Sequence, residues 1–139
     1  MGKGGREMTE TREFVVIDGA NVAYEEKSGG GKPKLSNLLK VRRELEERGF
    51  SPIIIVDASL KYDIDDQQHL EKLIQSQQVR QVPAGTDADF FILEIADNCG
   101  ARIVTNDQYK DYKDRYPWIP ERRLPYMIVN GEVHLYEEQ

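Results

Sequence analysis

Six aspartates stand where the chain changes direction. Asp18 closes the apolar run Phe14-Val15-Val16-Ile17, and Asp57 closes Pro52-Ile53-Ile54-Ile55-Val56. Asp87 and Asp89 follow the run Val79 to Val82 and open a helical stretch, while Asp107 and Asp111 follow Arg102-Ile103-Val104. Aspartate is common in turns and at helix N-caps, so one such residue means little. A carboxylate after each of four successive strands, with Asn21 and Asn106 beside them, points to one shared site, because clefts in open α/β sheets form outside the carboxyl ends of the strands. Two carboxylates about 5 Å apart repel by roughly 3 kcal/mol at an effective dielectric near 20. Several in one cleft therefore call for a cation. Hard oxygen donors favour Mg²⁺ or Mn²⁺, completed by water and a substrate phosphate, and neither His69 nor His134 lies beside the acids to favour zinc.

The elements that would position these groups alternate in period. Phe14–Ile17 and Pro52–Val56 read as buried strands, Val79–Val82 as a weaker, edge-like strand and Arg102–Val104 as the next strand. Pro33 opens a helical stretch with Leu35, Leu38, Val41 and Leu45 on one face, stopped by Gly49, and Leu70, Leu73 and Ile74 mark a second helix. Thr86 or Asp87 caps a third, with a buried stripe of Phe91, Ile92, Ile95, Ala96 and Cys99. A short helix is expected near 108–114, where i,i+4 spacing would turn Asp107 and Asp111 the same way. Asn130-Gly131 between Tyr126–Val129 and Val133–Tyr136 predicts a β-hairpin, since the pair tolerates the positive φ angles of a type I′ turn. Such alternation implies an α/β fold, a mainly parallel central sheet with helices on both faces and a C-terminal hairpin.

With 139 residues the chain is expected to be one domain over 13–139, preceded by a polar, glycine-rich and disordered segment over 1–12. Cys99 is the only cysteine, which excludes a disulfide framework and fits a reducing, cytoplasmic setting. No apolar stretch is long enough for a membrane span or a signal peptide. The net charge of −6 argues against a phosphate-binding surface in sum but not in distribution. Between Lys27 and Arg48 seven basic residues face only Glu44, Glu46 and Glu47. Gly29-Gly30-Gly31-Lys32-Pro33 lacks the Gly-Lys-Ser/Thr ending of a P-loop and reads as a flexible loop. Ala20 stands where a haloacid dehalogenase phosphatase needs its second aspartate, and Val104-Thr105 offers no receiver-domain lysine. Serine–histidine and cysteine–histidine catalysis lack support, Cys99 falling on a core stripe and His69 on a polar helix face.

Three blocks carry a resemblance: Val-Ile-Asp-Gly-Ala-Asn-Val-Ala (16–23), Thr-Asp-Ala-Asp-Phe-Phe-Ile (86–92) and Val-Thr-Asn-Asp-Gln-Tyr-Lys-Asp-Tyr (104–112). Their order and spacing resemble the NYN branch of PIN-like nucleases, nearest to the regnase (MCPIP) type of endoribonuclease domain. The segment Trp-Ile-Pro-Glu-Arg-Arg-Leu-Pro-Tyr-Met-Ile-Val-Asn-Gly (118–131) resembles the end of that domain, so the likeness spans about 13–136. It implies a PIN-like three-layer sandwich and metal-dependent endonucleolytic cleavage of single-stranded RNA. It places Asp18, Asn21, Asp89, Asp107 and Asp111 on the catalytic positions. The regnase type carries adjacent aspartates in its middle block, whereas here Ala88 separates Asp87 from Asp89, which keeps the later position.

Residue chemistry and resemblance together assign the metal, Mg²⁺ or Mn²⁺, to Asp18, Asp89 and Asp107, with Asp111 positioning water and Asn21 orienting Asp18 or meeting phosphate. Lys32, Lys34, Arg42, Arg43, Asn106, Lys110, Arg122 and Arg123 are expected to hold the RNA. Tyr116 and Trp118 are either stacking platforms for bases or half-buried packing. A homodimer is left open. The rival expectation is an NYN-like RNA-binding or protein-interaction module that no longer cuts.

Overall fold

The structure is a computed structural model that describes residues 12–26 and 31–136. The segment expected to be disordered lies, but for Arg12, outside the described residues, as do Lys27, Gly29 and Gly30 of the glycine loop.

Four strands are those expected from sequence: β1 (Phe14–Asp18), β2 (Ser51–Val56), β3 (Val79–Gln81) and β4 (Arg102–Val104). A fifth, β5 (Arg123–Leu124), is too short to leave a periodic signal. It joins the sheet because Leu124 is apolar and pairs with Val104, extending an order β3-β2-β1-β4-β5 in which every pairing is parallel. Strands β6 (Tyr126–Val129) and β7 (Glu132–Leu135) form a separate antiparallel hairpin. Its turn holds Asn130 at φ 52° and Gly131 at φ 79°, the double positive φ that an Asn-Gly pair accepts.

Alternation along β1 divides the core. Val15 and Ile17 face helices α2 (Leu35–Glu47) and α4 (Gln67–Gln75), through Leu38, Val41, Leu45 and Leu70. Val16 faces the opposite side with Ile55 and α5 (Ala88–Cys99), through Ile92, Leu93 and Ala96. The sheet is thus covered on both faces, as parallel sheets require. Three one-turn helices link these layers: α1 (Gly19–Ala23), α3 (Leu60–Asp63) and α6 (Ile119–Arg122).

Two expectations need correction. The helix anticipated over 108–114 is only a 3-10 turn, Lys110–Tyr112, because Tyr109 adopts a left-handed φ of 50° that breaks any continuous helix from Asp107. Cys99 is exposed rather than on the core stripe, since it is the last residue of α5 and the turn at Gly100 follows it.

Candidate active site

Asp18 is the last residue of β1 and is 6 % exposed. A carboxylate so buried needs donors, and the fold supplies three. Thr105 Oγ1 donates to its Oδ2 at 2.9 Å, the Tyr109 hydroxyl donates to the same oxygen at 2.6 Å, and the Asn21 amide reaches Oδ1 at 3.4 Å. Burial nevertheless dominates and holds the Asp18 carboxyl above its ordinary range, with Asp107 adding repulsion. Gly19 follows because β2 passes closely; a Cβ there would lie 2.6 Å from the Ile55 carbonyl oxygen.

The loop after β4 is folded by side chains. The Asp107 amide donates to Thr105 Oγ1 at 3.0 Å, and the Tyr109 amide donates to Asp107 Oδ1 at 2.8 Å. That second bond and the left-handed turn at Tyr109 swing its ring inward, where it is 3 % exposed and its hydroxyl meets Asp18. Burial and the neighbouring Asp18 push the Tyr109 phenol far above its usual range, so it remains a donor.

Asp89 enters from a third segment, in the first turn of α5. Desolvation, then repulsion from Asp18, Asp107, Asp87 and Asp111, raises its carboxyl to about 6. The helix N-terminus opposes that rise without cancelling it. Asp89, Asp107 and Asp111 line one open cleft of about 500 Å³ with Asn106, Gln108, Tyr109, Lys110 and Tyr112. Asp111 therefore reaches the cleft despite the broken helix.

Asn21 sits in α1, and its side-chain oxygen accepts from the Asn106 amide at 3.1 Å and the Tyr126 hydroxyl at 2.8 Å. Asn106 in turn grips the backbone of Tyr126, its Nδ2 donating to the carbonyl at 3.0 Å and its Oδ1 accepting from the amide at 3.1 Å. Its side chain thus ties the hairpin to the site. Behind α1, buried Asn37 donates from Nδ2 to the carbonyls of Val22, Ala23 and Glu26, holding the segment that carries Asn21.

The other aspartates have local duties. Asp57 accepts from the Leu60 amide at the start of α3 at 3.0 Å and from Ser59 Oγ at 3.1 Å. Asp87 caps α5 by accepting from the Asp89 amide at 3.0 Å, and it also accepts the Tyr112 hydroxyl. Sequence reasoning missed Thr105, Tyr109 and Tyr126. A hydroxyl at a strand end could have flagged Thr105, but the roles of the two tyrosines depend on a positive φ and on a contact across 105 residues.

The basic residues separate. Lys110 lines the cleft and Arg123, whose guanidinium donates to the Thr105 carbonyl, lies close by. Lys32 and Lys34 precede α2 near the same edge, where the Lys34 amide donates to the Ala23 carbonyl. Arg42 and Arg43, expected beside the RNA, stand at the opposite edge: α2 runs antiparallel to the strands and carries them toward Gln78 and the start of β2 at Ser51. Arg122 is spent on packing, stacking 4.2 Å from the Trp118 ring and donating to the Ala96 carbonyl. Tyr116 is buried and Trp118 packs edge-on against it, which selects the packing role for both. His69 is an exposed helix residue beside Asp66, away from the cleft.

The donor set suits a hard divalent cation, being all oxygen and short of counter-charge. Among the described residues no three His, Cys, Asp or Glu side chains already converge to grip an ion by themselves. An ion there would take the rest of its shell from water and phosphate, as Mg²⁺ commonly does. Among the described residues no helix is long and apolar enough to cross a membrane.

A family model described as the Zc3h12a-like Ribonuclease NYN domain matches residues 11–139. An uncharacterized protein of Methanocaldococcus jannaschii, MJ1085, is 28% identical over 131 residues, covering 90% of this chain and 25% of that protein. Two structures of the nuclear protein-only RNase P 2 (PRORP2) of Arabidopsis thaliana superpose with a TM-score of 0.72 at 22% and 24% identity. They cover 92% and 93% of this chain and 30% of theirs, a likeness that establishes the fold. The chain therefore spans about a third or less of the relatives it matches.

Proposed function

The chain belongs to the Zc3h12a-like ribonuclease NYN domain family, and from that membership we propose that it is an endoribonuclease cutting single-stranded RNA with Mg²⁺ or Mn²⁺ held by Asp18, Asp89 and Asp107. The observation that carries this is the approach of carboxylates from three separate segments: Asp89 at the start of α5 and Asp107 after β4 line one cleft, and buried Asp18 at the end of β1 lies close enough to repel Asp89. When bound, such a cation supplies Lewis acidity toward a phosphate oxygen and makes water a competent nucleophile near neutral pH.

The protein's own groups do the rest. Asp18 is held in a set orientation, Oδ2 by two hydroxyls and Oδ1 within 3.4 Å of the Asn21 amide. Asp107 is fixed likewise through Oδ1, leaving Oδ2 to bind. Asn21, its oxygen already occupied, keeps its amide nitrogen to donate to a phosphate oxygen. Asp111 accepts a hydrogen bond from the attacking water and aims it at phosphorus. Lys110, Lys32 and Lys34 neutralise flanking phosphates.

Circular single-stranded RNA incubated with Mn²⁺ tests the assignment. An endonuclease yields the full-length linear strand first. Binding without any linear product would overturn catalysis in favour of a module that holds RNA without cutting it.

A further inference from the structure

A second cavity, of about 480 Å³, lies beside the catalytic cleft and is lined by Gln108, Lys110, Lys113, Ile119, Pro120 and Arg123. Gln108 and Lys110 line both, so the two share a wall. Their chemistries differ. The cleft carries Asp89, Asp107 and Asp111, whereas its neighbour carries three cations, no carboxylate and an apolar floor of Ile119 and Pro120. In a chain of net charge −6 this is a local reversal of sign.

The cavity is also firmly built. Ile119 is 3 % exposed and belongs to the core on the α5 side, so the floor cannot swing away. Arg123 is tied to the end of β4 through the Thr105 carbonyl, two residues before Asp107. Lys110 opens the 3-10 turn and Lys113 follows it, and neither pairs with an acid among the described residues. Apolar surface rimmed by cations, continuous with the proposed phosphodiester-cutting cleft, complements a ligand in which rings alternate with phosphates. The geometry points to this cavity as a subsite for one unpaired nucleobase of the RNA, flanking the cut phosphate. This rests on the ribonuclease function proposed above. The base lies against Pro120, which buried Ile119 backs, the Gln108 amide offers a donor and an acceptor to its edge, and Lys113 meets the adjoining phosphate. A protein partner would instead have to match the cations with acidic side chains and would show no dependence on a base.

An abasic scan of a short single-stranded RNA tests the subsite. Affinity is read by fluorescence anisotropy in EDTA and the cut position in Mn²⁺, for wild type, Lys113→Ala and Pro120→Glu, both substitutions being at exposed positions. At one position next to the cut, loss of the base should weaken wild-type binding several-fold, less than the loss of a base stacked on an aromatic ring. Lys113→Ala should weaken the intact RNA several-fold. Pro120→Glu should lower intact RNA to the abasic level, so that the penalty at that position disappears. A flat scan with cutting retained, or a penalty that survives Pro120→Glu, overturns the subsite and leaves the ribonuclease assignment standing. Failure of wild type to bind or cut the intact RNA overturns both.

Discussion

Tyr109 reaches Asp18 with its hydroxyl at 2.6 Å while its own backbone amide holds Asp107 at 2.8 Å. One residue thus fixes two carboxylates of the candidate site that lie 89 positions apart in the chain, and it does so from a left-handed backbone conformation. The hydroxyl is the donor of a charge-assisted bond to a buried acid, the strong kind of hydrogen bond.

Tyr109→Phe should therefore cost about 1.5–3 kcal/mol at neutral pH, since the ring stays and only the donor is removed. Cleavage should fall about 10- to 100-fold, the usual consequence of freeing a ligand from its supporting partner. Thermal melting and initial rates check both. Unchanged values of each would mean that Thr105 and the Asn21 amide suffice to hold Asp18.

Asp89→Asn should act in the opposite direction on the metal-free protein. The Asp89 carboxyl is raised to about 6 in the fold, above its unfolded value near 3.9. A raised acid binds its proton more tightly when folded, so stability falls as pH climbs from about 4 to about 6 and stays reduced above. Asparagine removes that penalty. In EDTA at pH 7.5, a condition chosen to lie above this window, the variant should melt a few degrees higher than wild type, and the difference should vanish below about pH 4. Mn²⁺ should reverse the order, because it stabilises wild type more. A variant that melts lower in EDTA would make Asp89 a structural hydrogen-bond partner.

Proton and cation compete for the same carboxylate. Cleavage at limiting Mn²⁺ should rise with pH through about 6, and its midpoint should move to lower pH as Mn²⁺ is increased. A midpoint that ignores the Mn²⁺ concentration would separate the titrating group from the metal.

The two basic groups should part company. Lys32, Lys34 and Lys110 changed together to Ala should weaken RNA binding for all sequences and flatten its salt dependence, by a slope near 1 for each phosphate that is no longer neutralised. Arg42 and Arg43 changed to Ala should leave both untouched, since α2 carries them to the far edge of the sheet. An effect of the arginine pair on the salt slope would place the RNA along the opposite edge.

That last contrast marks how far the sequence reaches. Apolar runs ending in aspartate located β1, β2 and the carboxyl edge, and the spacing of Leu35, Leu38, Val41 and Leu45 located α2. Periodicity gives no direction in space, however, so a helix returning antiparallel to the strands was free to take Arg42 and Arg43 away from the acids. The two-residue β5 shows no period, and Tyr126 looked like an ordinary strand residue although its hydroxyl holds Asn21. Asp57 could not be told from Asp18 by position alone, whereas Asp87 already reads as a cap candidate for α5. All three accept a backbone amide at the start of the helix that follows; burial and the Thr105 and Tyr109 hydroxyls set Asp18 apart.

Cleavage of labelled single-stranded RNA by the wild-type chain across a Mn²⁺ titration, followed by excess EDTA, bears most directly on the carboxylate cleft. The rate should rise from nothing to saturation with Mn²⁺, stop with EDTA and return when Mn²⁺ is restored, while Asp107→Asn stays inactive throughout. Cutting that persists undiminished in excess EDTA would contradict a catalytic cation at Asp18, Asp89 and Asp107.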